Sequence, residues 1–171
     1  GIVLNGQVFY GAHQSAGEVC NLVADTAQLG KKFPGFGFLE SHASGTGIAK
    51  RFLELSSSAE SIDAETVFAL ARQDDPTAVE VVKDFTEHLA MAIVSISTVL
   101  DPELIILGGG VSRDADLFLP QLEKLAFPVL QAQPRLVVSE LGSIAGVMGA
   151  VALTLHNTSD RLLGSYKGVG E

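Results

Sequence analysis

The sequence has no tryptophan, one cysteine and only 11 lysine and arginine residues in 171. A lone thiol, Cys20, closes no internal disulfide and is too little for a cysteine-rich zinc site, which suits a reducing compartment. With 20 acidic residues the formal net charge is -9 and the pI about 4.8. The phosphate backbone of a nucleic acid is repelled by such a chain, and no basic cluster exceeds a pair such as Lys31-Lys32. Apolar runs long enough to span a bilayer are also lacking, and the start has no charged n-region of a signal peptide. These absences predict a cytoplasmic protein with no membrane partner and no DNA contacts of its own.

What is present is apolar and glycine-rich: 47% hydrophobic residues, mean hydropathy +0.33, 18 glycines and only 18% charged residues. This composition supports a compact α/β protein of one domain, or one and a half, rather than a disordered chain. Gly1 is not a methionine and leads straight into Ile2-Val3-Leu4, so the chain reads as a piece of something longer.

The central stretch is Leu104 to Ser112, Leu-Ile-Ile-Leu-Gly-Gly-Gly-Val-Ser. An apolar run ending in consecutive glycines reads as a buried strand followed by a sharp turn or a close approach to a ligand. Ser112 or Asp114 is the expected cap of the next helix, whose dipole would favour a phosphate. The spacing fits neither a Rossmann fingerprint nor a P-loop, so a simple tight turn is an equal reading.

Around this junction, Asn5-Gly6 between two short apolar runs predicts a hairpin. Gly11 to Gly17 reads as a loop, Val19 to Ala24 as a short strand, and Asp25 to Gly37 as an irregular excursion holding Phe33 and Phe36. A helix is expected over Leu39 to Leu55, weakened at Gly45 and Gly47, and a short one over Ala64 to Arg72 capped by Asp63. Asp75-Pro76 opens the longest helix, with Ala78, Val82, Phe85, Leu89, Ile93, Ile96 and Leu100 in one stripe. Its nearly uncharged second half is expected to be buried on more than one side or to form a subunit interface.

Downstream, Asp114 to Leu125 reads as a helix, Leu136 to Ser139 as a strand and Ile144 to Leu155 as a helix. Its small residues, Gly146, Gly149 and Ala150, are best explained by close packing. The tail, residues 157–171, is poorly patterned and expected to be flexible.

The ordered motifs Gly1-Ile2-Val3-Leu4-Asn5-Gly6, Gly11-Ala12-x-x-x-Ala16-Gly17-Glu18, Leu39-Glu40-x-x-x-Ser44-Gly45 and Pro102-Glu103-x-Ile105-Ile106-Leu107-Gly108-Gly109-Gly110-Val111-Ser112 resemble the ROK family of sugar kinases and sugar-responsive repressors. The resemblance covers residues 1 to about 156. It implies an α/β actin-like, hexokinase-like (ribonuclease H-like) ATPase fold, of which residues 1–156 are the C-terminal lobe. The family's DxGxT phosphate loop and its Asn-Asp with the catalytic aspartate would precede Gly1. ATP and Mg²⁺ would bind only with that N-terminal lobe. No catalytic residue is therefore assigned here, and these residues alone are expected to lack kinase activity, since sugar phosphorylation needs a positioned base and a phosphate clamp.

By the same resemblance Glu18, Asn21 and Glu40 face the sugar, and Gly108, Gly109 and Gly110 form the nucleotide-side loop. Carboxylates suit sugar hydroxyls because each accepts two charge-assisted hydrogen bonds. The family's zinc ligands are replaced: Asn21 stands in the histidine's place, and Lys31, Phe33 and Phe38 stand where three cysteines belong. No metal site and no zinc are expected, and the phenylalanines would serve instead as an apolar staple behind Glu40. His13, His42, His88 and His156 form no coherent set in the sequence, with His88 on the polar face of the long helix.

The resemblance leaves two functions. One is the sugar-binding and oligomerising part of a ROK transcriptional regulator, a homodimer or other homo-oligomer touching DNA only through an N-terminal domain. The other is the C-terminal half of an ATP-dependent sugar kinase. The altered zinc motif leans slightly to the regulator. A degenerate dimerisation module is a distant third.

Overall fold

The computed structural model describes residues 1–23, 26–31, 37–56 and 61–166, without the side chains of Ser143 and residues 156–166. The chain opens with a hairpin of β1 (Ile2–Leu4) and β2 (Gln7–Phe9), paired Val3 to Val8. Asn5 and Gly6 both take positive φ, 52° and 77°, as the mirror-image two-residue turn demands. Val19–Asn21, expected as part of a strand, instead forms a 3-10 turn, because Gly17 and Glu18 curl back on the preceding loop.

Five helices dominate the next part. The helix expected over Leu39 to Leu55 divides into α1 (Phe38–His42) and α2 (Gly45–Ser56). Gly47 explains the break: a Cβ there would lie 2.5 Å from the Ser41 carbonyl oxygen, so the two segments meet backbone to backbone. Ser44 Oγ accepts from the Gly47 N–H at 3.0 Å and starts α2 afresh. The short helix α3 (Ala64–Ala71) is capped as expected, Asp63 accepting from the Thr66 N–H.

The long helix α4 (Pro76–Leu100) begins at Asp75, which accepts from the Ala78 N–H at 2.9 Å, with Pro76 in the first turn. It ends at Asp101, which adopts a left-handed conformation ahead of Pro102. Then come β3 (Leu104–Leu107), α5 (Ala115–Ala126) and β4 (Arg135–Val138), with β3 and β4 parallel and Leu104 opposite Arg135. A parallel pair needs a crossover, and α5 supplies it.

The core lies between α2, α3, α4 and α5. Phe68, Phe85 and Phe118 form an aromatic cluster with centroids 5.0–6.2 Å apart, surrounded by Ile48, Val67, Val81, Ile93 and Leu122. The stripe of α4 is buried from Ala78 to Ile93 but opens afterwards, leaving Val99 80% and Leu100 41% exposed. The second half of α4 is therefore not enclosed on more than one side by the described residues.

The last helix, α6 (Ala145–Tyr166), runs beyond its expected end at Leu155. Close packing among the described residues does not explain its glycines: a Cβ at Gly146 or Gly149 would meet none of their atoms within 4 Å. No described helix is long and apolar enough to cross a membrane.

Candidate sugar and nucleotide sites

The first group of expected site residues sits on two segments joined at Gly37. A Cβ on Gly37 would lie 2.0 Å from the Cys20 carbonyl oxygen and 2.7 Å from the Asn21 nitrogen, so only glycine lets the Val19–Asn21 turn rest on the start of α1. Glu18 and Asn21 lie exposed at the ends of this turn, while Glu40 is half-buried in the first turn of α1. There the helix dipole favours its carboxylate. The structure thus brings the Glu18–Asn21 loop onto the helix that carries Glu40. The expected staple is described only through Phe38, which is buried and lies tilted against His42 and His88 with ring centroids 4.8 and 5.6 Å away; Phe33 and Phe36 lie outside the described residues.

The second group is the glycine loop. Gly109 has φ 89° and ψ -178°, open to glycine alone, so it makes the sharp turn after β3. Gly110 has no such requirement, and a Cβ on it would meet nothing within 4 Å. A tight turn therefore accounts for Gly109 but not for Gly110, whose bare backbone borders open space.

That space is a cleft of about 460 Å³, lined on one side by Gly110, Val111, Arg113 and Asp114 and on the other by Gly45 and Thr46 at the start of α2. Its size is that of a small-molecule site. Gly108 and Gly109 stay outside its lining, as do Glu18, Asn21 and Glu40.

Neither expected cap follows the loop. Residues Gly110–Asp114 form a 3-10 turn ahead of α5, Ser112 Oγ donates to the Gly109 carbonyl at 2.8 Å, and Asp114 makes no side-chain cap. Asp114 is instead held by Arg72. The Arg72 guanidinium donates to Asp114 Oδ1 and Asp116 Oδ1, each at 2.9 Å, and fixes the cleft wall to α3. Its hydrogen bonds to Asp116, then to Asp114, raise the guanidinium pKa above its ordinary value, and the same contact lowers that of Asp116.

Sequence reasoning missed one cluster. His42 from α1 and Asp84 and His88 from α4 come together, with one donor atom of each within 4.8 Å of the others. His88 is half-buried against α1 rather than set on a polar outer face. Asp84 and His88 are four residues apart on a helix, the one signal that could have paired them.

With this geometry in hand, comparison with known proteins is decisive for kinship. The pattern described as the ROK family matches residues 1–157. The chain belongs to the ROK family. It is 38% identical over 155 residues to the bifunctional enzyme NanE/NanK of Brucella melitensis, covering 90% of this chain and 28% of that protein. Among solved structures it is similar to the ROK hexokinase of Thermus thermophilus, with TM-score 0.76, 27% identity and coverage of 88% of this chain and 51% of the other.

It is also similar to a ROK family transcriptional regulator that is a homologue of the E. coli MLC protein, with TM-score 0.65, 29% identity and coverage of 81% and 38%. The fold is the actin-like, hexokinase-like α/β fold of these proteins. The chain spans about half the length of the hexokinase and less of the other two.

Proposed function

We propose that this ROK chain provides the sugar- and nucleotide-holding C-terminal half of an ATP-dependent sugar kinase, active only with a partner lobe that carries the catalytic base. The observation that carries this reading is Gly110. Its backbone borders a cleft of small-molecule size with no packing contact among the described residues that calls for glycine, opposite the N-terminal turn of α2, whose dipole favours a phosphate. The kinship to NanE/NanK and to the Thermus hexokinase supports it.

In this reading Glu18, Asn21 and Glu40 accept and donate hydrogen bonds to sugar hydroxyls and fix which hydroxyl meets the phosphate. Gly110 borders the adenosine side, Gly108 and Gly109 shape the turn that places it there, and Mg²⁺ is held through the partner lobe. The second reading, a sugar-sensing and oligomerising part of a regulator, draws on the similarity to the MLC homologue and on the side chains replacing the zinc motif.

Full-length protein incubated with ATP, Mg²⁺ and a panel of hexoses and N-acetylhexosamines tests the choice. Sugar-dependent ADP release is expected. Glu40→Gln should raise the sugar KM by about tenfold or more, the loss of a charge-assisted hydrogen bond. Saturable sugar binding with no ADP release would overturn the kinase reading in favour of sensing.

A further inference from the structure

We propose that His42, Asp84 and His88 form a divalent-cation site of the Zn²⁺ class, separate from both the sugar-side loop and the nucleotide cleft. The donors come from two helices that pack on each other: Asp84 and His88 one turn apart on α4, and His42 at the end of α1. His42 Nδ1 lies 3.4 Å from Asp84 Oδ2, and His88 Nδ1 lies 3.6 Å from the same oxygen. The His42–Asp84 separation matches the spacing of about 3.3–3.6 Å between neighbouring ligands on a tetrahedral ion with bonds of about 2.0–2.2 Å, while His88, whose Nδ1 is taken by a backbone hydrogen bond, would offer its Nε2.

The surroundings have the features of a metal site. The His88 Nδ1–H donates to the Asp84 backbone carbonyl at 2.8 Å, which fixes the tautomer and leaves the lone pair on Nε2. Metal-binding histidines use the same device. The apolar ring of Phe38 lies tilted against both imidazoles. The side chains remain 15–30% exposed, enough to admit an ion and a water.

Two imidazoles and one carboxylate satisfy three positions and leave the fourth open, a donor set suited to Zn²⁺ rather than to Mg²⁺ or Ca²⁺. The imidazoles now stack face to face, 3.9 Å apart and 9° from parallel. Binding turns them out of this stack so that each aims a nitrogen at the ion, tying α1 to α4. This site replaces the metal-free reading of the sequence with a cation held by residues outside the lost zinc motif.

The test is equilibrium dialysis and calorimetry of full-length protein with Zn²⁺ alone, alongside His42→Gln, His88→Gln and Cys20→Ser. The wild type and Cys20→Ser should each bind one equivalent, and either histidine variant should bind at least about tenfold more weakly while keeping its circular dichroism spectrum. No stoichiometric binding by the wild type would overturn the proposal. So would undiminished binding by folded His42→Gln and His88→Gln, or binding lost in Cys20→Ser. Asp84→Asn, which leaves both imidazoles in place, provides a second variant should a histidine variant fail to fold.

Discussion

Two regions that both carry apolar side chains have opposite fates. Between α3, α4 and α5, Phe68 is fully buried and Phe118 only 2% exposed. On α6, Val147 is 66% exposed and Met148 and Val151 are each 47% exposed. The difference arises because helix periodicity aligns one set on a common stripe facing its neighbours, whereas among the described residues α6 meets little beyond the turn that precedes it. Apolar composition gives the capacity for burial, but the neighbours decide where it is realised.

Substitutions sharpen this contrast. Phe68→Ala removes the centre of the aromatic cluster and should cost about 3–5 kcal/mol in denaturant unfolding. Gly37→Ala forces a Cβ onto the Cys20 carbonyl and should cost about 1–3 kcal/mol, with weaker sugar binding, measured by thermal unfolding and sugar titration. Asp75→Ala removes the α4 cap at a cost of about 1 kcal/mol in the same assay.

Val147→Ser should change stability by less than about 0.5 kcal/mol if α6 keeps its exposure in the full-length protein. A cost above about 1.5 kcal/mol there would break the comparison, since an effect of that size belongs to buried apolar side chains.

The smallest effect concerns acid. The hydrogen bond from the Thr66 hydroxyl, then that from its N–H, lowers the Asp63 pKa below its ordinary value. A carboxylate depressed in the folded state stabilises fully above its unfolded pKa of about 4, and this contribution is lost as pH falls through the lower folded value. The stability difference between wild type and Asp63→Ala should therefore be flat above about pH 5 and shrink below about pH 4.

Much of this was legible in the sequence where one local rule acts alone. Asn5-Gly6 required a mirror-image turn, Asp75-Pro76 a helix start and Leu104 to Leu107 a strand, and all three form, although the strand expected to be buried leaves Leu104 and Ile106 exposed. The glycine loop was located, but its downstream cap was misread because Ser112 turns back onto Gly109 and a 3-10 segment intervenes before α5. Val19–Asn21 was misread as extended, since it turns back on the preceding loop and rests on Gly37, sixteen residues away. The grouping of His42 with Asp84 and His88 was invisible for a similar reason: it depends on how α1 crosses α4.

In the proposed function, the backbone contact at Gly37 also constrains how this protein could exchange one sugar for another. Because the Val19–Asn21 turn and the first turn of α1 touch without an intervening side chain, Glu18, Asn21 and Glu40 ride on one stiff unit. Selection for a different sugar then has little freedom to reposition one of the three by backbone drift. It must exchange side chains in place or move the whole unit, so beneficial changes at these positions should come as coupled sets, with non-additive effects on affinity.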